Sequence, residues 1–159
     1  MEIEAKLYAL GLALPEPMQV SGMKLPFAPV RVRGNRAFIS GAGPLNADGT
    51  LAEPLGKVGA DLTLEQGYAA ARLTALAILG SLRRELGDLD RVTAWLRVFG
   101  MVNVAPGFTQ TPSVINGFSD LILDLYGAER GAHARSAVGL AELPLRIPVE
   151  IEAEVEIAG

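Results

Sequence analysis

Residues 149–157, Val-Glu-Ile-Glu-Ala-Glu-Val-Glu-Ile, alternate without a break between apolar side chains at odd positions and glutamate at even ones. A helix would spread this run over every face, whereas an extended chain sorts it into one apolar and one carboxylate face. The stretch therefore reads as a half-buried β-strand, and it demands a sheet with an apolar layer behind it. Just upstream, Arg135, Ala137 and Gly139 share one face of a second extended run, opposite Ser136, Val138 and Leu140. An arginine followed on its own face by two of the smallest residues has room beside its guanidinium. That room suits an anion, and a planar guanidinium pairs a carboxylate through two hydrogen bonds. A salt bridge from Arg135 to a strand glutamate is the competing reading, and both stay open at this point.

The rest of the chain supplies the layer. Residues 2–11 form a short amphipathic helix with Ile3, Leu7 and Leu10 on one stripe and Gly11 at its stop, followed by a rigid connector through Pro15 and Pro17. Residues 30–33 and 36–41 flank Gly34-Asn35 as two strands around a tight turn. The strongest helix signal covers 64–86, with Thr63 and Gln66 as a capping box and Gly87 just past the end. Residues 92–104 alternate too weakly for a strand with one wet face. Val92, Ala94, Leu96, Val98 and Val102 fill one side, while Trp95, Phe99 and Met101 help fill the other, so both faces read as buried. A second long helix starts at Thr111-Pro112, with threonine as cap and proline first, and stops at Gly127. This order predicts an α+β two-layer sandwich, with a mixed sheet of about six strands and two long helices on one face. Residues 1–159 make one domain, with 1–17 as an N-terminal helix and connector.

Composition excludes several chemistries. The 159 residues contain no cysteine and a single histidine, so thiolate sites, disulfides and multi-histidine metal centres are out. His133 reads as a residue at the start of a strand or on the surface rather than a general base. A net charge of −4 argues against phosphate-backbone binding, and no apolar run approaches the ~18 residues of a membrane helix. The N-terminus lacks the apolar core of a signal peptide, and the simplest location is the cytoplasm. Half the residues are apolar, an excess that other subunits could cover. No Walker loop, Gly-x-Ser-x-Gly elbow or His-Glu-x-x-His is present.

The run Ala-Arg-Ser-Ala-Val-Gly-Leu-Ala-Glu-Leu-Pro-Leu-Arg-Ile-Pro-Val-Glu-Ile-Glu-Ala-Glu-Val-Glu-Ile closely resembles the C-terminal signature of the RidA/YjgF family, also labelled L-PSP endoribonucleases. Residues 34–41 resemble that family's strand ending in Ser-Gly, Asn116 falls at its helix asparagine, and Phe27 stands at its Pro-Tyr tyrosine. Ala42 replaces its glutamine, and Ala137 stands where several members carry cysteine. The resemblance implies a chorismate-mutase-like fold and a homotrimer with clefts between subunits. It implies hydrolysis of reactive enamines and imines, of the 2-aminoacrylate and 2-iminopropionate type, to keto acids and ammonia, with no metal or organic cofactor. By that likeness Arg135 clamps the substrate carboxylate and Glu150 directs the attacking water. Ser40, Gly41, Asn116, Ala137 and Phe27 line the cleft. The rivals are a non-catalytic module of the same fold, binding a small carboxylate or a protein, and the endoribonuclease of the family label, which acidity and few aromatics disfavour.

A simple hairpin of the last two strands would place Arg135 roughly 20 Å from Glu150 along the strand direction. Either these strands are not hairpin partners, or the two residues of one site come from different chains.

Overall fold

The computed structural model describes residues 1–19, 22 and 24–159. Among the described residues the sheet has five strands: β1 (Val30–Arg33), β2 (Arg36–Ala42), β3 (Val92–Asn103), β4 (Ala134–Leu140) and β5 (Val149–Ile157). Their order is β1-β2-β5-β3-β4, with β3 and β4 parallel and the other pairs antiparallel. The expected count of about six becomes five, because segments around Leu45, Leu51, Val58 and Leu62 make only isolated bridges. The chain is a mixed α+β sandwich, as the element order implied.

Helices α2 (Leu64–Leu86) and α3 (Thr111–Arg130) cover one face of the sheet. The ends of α2 follow the sequence signals. Thr63 Oγ1 accepts from Gln66 N at 3.1 Å, Gln66 Oε1 accepts from Thr63 N at 2.9 Å, and Gly87 takes φ 82°. Helix α3 differs at both ends. Gln110 is its N-cap, while Thr111 lies inside and turns its hydroxyl to the Ala137 carbonyl at 3.0 Å. At the other end Gly127 (φ 80°, ψ 174°) makes a kink, after which the helix resumes to Arg130. The short α1 (Glu2–Ala9) buries Ile3 and Leu7 but leaves Leu10 exposed. It is held by Asp90, whose carboxylate accepts Glu2 N at 2.7 Å and Ile3 N at 2.9 Å.

Val149, Ile151, Ala153, Val155 and Ile157 all point into the helix layer, so the alternating glutamates stand on the other face. Among the described residues no helix covers that second face. Within one chain the second face of β3 is only partly buried: Arg97 is exposed, and Phe99 and Met101 are half-buried. A β-bulge between Trp95 and Arg97 also shifts the phase of the strand. It sends Trp95 into the core beside Phe118 and Tyr126, while Ala94 pairs with Glu156 on the uncovered side.

Candidate active site

The register of the sheet decides where each candidate residue points. Ala153, Val98 and Arg135 form one cross-strand row, and since Val98 is fully buried under the helices, Arg135 shares that face. Glu150 pairs with Met101 and belongs to the uncovered face. Strand β3 separates β4 from β5, so the two strands are not hairpin partners. The spacing places the two Cα atoms about 14 Å apart with side chains on opposite faces. Within one chain they cannot meet on one small molecule.

Arg135 lies where the edge strand β4 meets α3. Its Nη1 donates to Asn116 Oδ1 at 2.8 Å and to Ser119 Oγ at 3.1 Å, and Nη2 reaches the Pro112 carbonyl at 3.5 Å. All three acceptors are neutral. No carboxylate among the described residues lies within 4.0 Å of its guanidinium, which removes the salt-bridge reading. The small residues beside it have a different use from the one expected. A Cβ on Gly139 would stand 2.9 Å from Val104 Cγ2, and Ala137 offers its carbonyl to Thr111. Gly139 thus lets Val104 approach closely, while Ala137 stays half-buried.

Sequence reasoning missed Ser119 and set His133 aside. His133 Nδ1 lies 2.7 Å from the Gly131 carbonyl, which fixes the proton on that nitrogen and leaves Nε2 to accept from Ser119 Oγ at 2.8 Å. Ser119 in turn accepts from Arg135, so the chain of bonds orients the guanidinium. The signal was present: Ser119 follows Asn116 by three residues, on the same helix face.

Glu150 occupies a different setting. Between Ile39 and Ala42 the β2–β5 register slips by one residue, so Ser40 and Gly41 form a bulge alongside it. A Cβ on Gly41 would lie 2.6 Å from Glu150 Oε2, so glycine is what admits the carboxylate here. The Ser40 hydroxyl donates to the Ala28 carbonyl at 2.7 Å, tying the incoming chain to the bulge and leaving lone pairs on the oxygen. Phe27, about half exposed, joins Ser40, Gly41 and Glu150 in the lining of a cavity of about 440 Å³.

The four glutamates of β5 are now distinguishable. Glu154 pairs with Arg36 at 2.7 Å, Glu156 accepts from Thr93 Oγ1 at 2.7 Å, and Glu152 is exposed. Glu150 alone of the four lines the cavity of about 440 Å³, half-buried and with no hydrogen bond or ion pair to its carboxylate among the described residues. Burial, and then the charge of Glu152, raise its carboxyl above the ordinary 4.5. The acidic group Glu4, Asp88 and Asp90 is a poor candidate for a metal. Its oxygens already accept from Leu89 N, Arg83 Nε and the backbone of Glu2, Ile3 and Asp90.

A five-stranded mixed sheet with two long helices on one face is the fold of the YjgF/chorismate-mutase-like class. The chain belongs to that family: the profile described as YjgF/chorismate mutase-like, which carries endoribonuclease as a provisional activity label, matches residues 4–149. The chain is 40% identical over 146 residues to Protein TCP17 of Trypanosoma cruzi, covering 88% of this chain and 91% of that protein. It is similar to the Agrobacterium tumefaciens protein Atu1372, described as of unknown function, with 37% identity, a TM-score of 0.88, and coverage of 99% of this chain and 94% of that one. It also resembles a Shewanella oneidensis protein designated a candidate endoribonuclease, at 31% identity, a TM-score of 0.89, and coverage of 99% and 100%. No helix among the described residues is long and apolar enough to cross a membrane.

Proposed function

We propose that the protein hydrolyses small carboxylate-bearing enamines and imines to keto acids and ammonia, at sites formed between the chains of a homotrimer. The observation that carries this reading is Arg135. Its guanidinium is held in place by neutral acceptors alone, so its positive charge remains available to a substrate carboxylate. The opposite orientation of Arg135 and Glu150 supports a site completed by a second copy, which would bring its Glu150 to the first chain's Arg135. The uncovered face favours the same assembly, because it carries exposed Phe38 and Val138 beside half-buried Phe99 and Met101.

The chemistry needs little more. The carbon of a protonated imine is already electrophilic, so positioning does much of the catalysis. Arg135 fixes the carboxylate, and the Ser40 oxygen offers a lone pair to the iminium N–H. Glu150 accepts a proton from water as the water oxygen bonds to the imine carbon, and its raised affinity for protons suits it to that task. The resulting tetrahedral amino alcohol then loses ammonia as the carbon–nitrogen bond breaks. Glu150 returns its proton to the departing nitrogen, and the hydroxyl proton is released as the ketone forms. One water is consumed, and one keto acid and one ammonium ion result.

The decisive measurement is keto-acid release from enzymatically generated iminopropionate, comparing wild type with Arg135→Ala. We expect clear acceleration by the wild type and a loss of about 100-fold or more in the variant. No acceleration together with retained binding of a keto acid would favour a carboxylate-binding module. RNA cleavage that survives purification and disappears in Arg135→Ala would favour the ribonuclease label, which the net charge of −4 opposes.

A further inference from the structure

The cavity at Glu150 extends well beyond the carboxylate. It passes the end of β2, from Ser40 and Glu150 on the uncovered face to Ala77 and Ser81 of α2 in the helix layer. Ala42 and Gly43 line the passage with almost no side chain, and a Cβ on Gly43 would already stand 2.9 Å from Ile147 Cδ1. The remaining wall is mainly apolar, with Leu25, Leu45, Leu51 and Phe27 among its members. Leu145, also in the lining, has φ 57° and is followed by Arg146 at φ 59°. Two successive non-glycine residues in the left-handed region form a strained turn that holds a leucine 66% exposed at this wall. A site for a three-carbon acid needs none of this. At about 440 Å³ the cavity falls within the ~300–1,000 Å³ range of pockets that enclose much larger ligands.

We infer that the cavity receives the substrate's side chain, and that the site is built for imines with long apolar side chains, of leucine or phenylalanine size. This rests on the imine-hydrolase reading and specifies its substrate class. Arg84 also lines the cavity, but its guanidinium is already turned to the Pro15 carbonyl at 3.1 Å and Ser81 Oγ at 3.4 Å. Those acceptors are neutral, as Arg135's are, so Arg84 keeps its charge, and it is the mainly apolar remainder of the wall that favours an apolar side chain over an acidic one.

The test uses imines generated in place by an amino-acid oxidase from alanine, leucine, phenylalanine and glutamate, with semicarbazide competing for the imine. Hydrolysis of the leucine and phenylalanine imines should exceed that of the alanine imine by at least about tenfold in kcat/KM. Filling the passage with Ala77→Leu should lower the leucine-to-alanine ratio about tenfold. Equal or faster hydrolysis of the alanine imine by the wild type overturns the inference while the hydrolase reading stands. Preference for the glutamate imine overturns it in favour of an Arg84-directed site. Should no imine be accelerated, the hydrolase reading fails, and calorimetry decides the cavity's role separately. Binding of the leucine keto acid about tenfold tighter than pyruvate upholds the side-chain pocket, and equal binding rejects it.

Discussion

Arg135 is crowded by acceptors from α3, whereas the Glu150 carboxylate faces a cavity and is bonded to no donor among the described residues. The arginine side is rigid and already satisfied, apart from its charge. The glutamate side is underfilled and holds a carboxylate at some cost, since burial and Glu152 both disfavour its ionised form. The contrast suggests two incomplete halves, one with surplus positive charge and one with surplus negative charge. They face away from each other in one chain and would complement each other across two.

The largest expected effect tests that complementarity. Arg135→Ala and Glu150→Gln should each be nearly inactive alone. Co-assembly of the two in equal amounts should restore about a quarter of wild-type imine hydrolysis, because random mixing pairs an intact arginine half with an intact glutamate half at that frequency. No recovery in assemblies shown by mass spectrometry to be mixed would break the two-chain account.

A smaller effect probes the glutamate half. Gly41→Ala places a Cβ against Glu150 Oε2, so the carboxylate must move or turn. A displacement of this order lowers kcat by about 10- to 100-fold while leaving carboxylate binding through Arg135 little changed. Equal loss of kcat and of keto-acid affinity would mean that the two halves are not separable.

The smallest effect concerns pH. Glu150 must be ionised to take a proton from water, and its carboxyl is raised, so the acid limb of kcat/KM should lie above 4.5. Rate is lost as pH falls through that raised value. Removing the neighbouring charge with Glu152→Gln lowers the Glu150 value and should move the limb to lower pH. A limb that stays in place, or moves upward, would show that Glu152 does not act on Glu150 in the assembled protein.

Local signals were legible along the chain. Thr63, Gln66 and Gly87 marked both ends of α2, and the alternation of 149–157 marked β5, because caps and strand faces are set by near neighbours in sequence. The same logic stumbled at residues 92–104. An added residue at the Trp95–Arg97 bulge reverses the faces, and whether a strand bulges depends on its partner. It also stumbled at Thr111, whose hydroxyl found a carbonyl on β4 in place of a cap. Of the small residues that follow Arg135 on its face, Gly139 lies against Val104, a neighbour the strand pattern does not reveal.

The sequence by itself determined the two strands that carry the candidate residues, their apolar faces, and the presence of an arginine and four glutamates within reach of a sheet. The family likeness pointed to Glu150, and tertiary structure decided how its surroundings differ from those of the other three glutamates and on which face it stands. Inserting β3 between β4 and β5 put Arg135 and Glu150 on opposite faces, and the β2 bulge with Gly41 gave Glu150 a close backbone neighbour that four glutamates alike in sequence do not announce. Strand order and bulges arise from contacts between segments far apart in the chain, and a period-two pattern carries no record of which strand lies next to it.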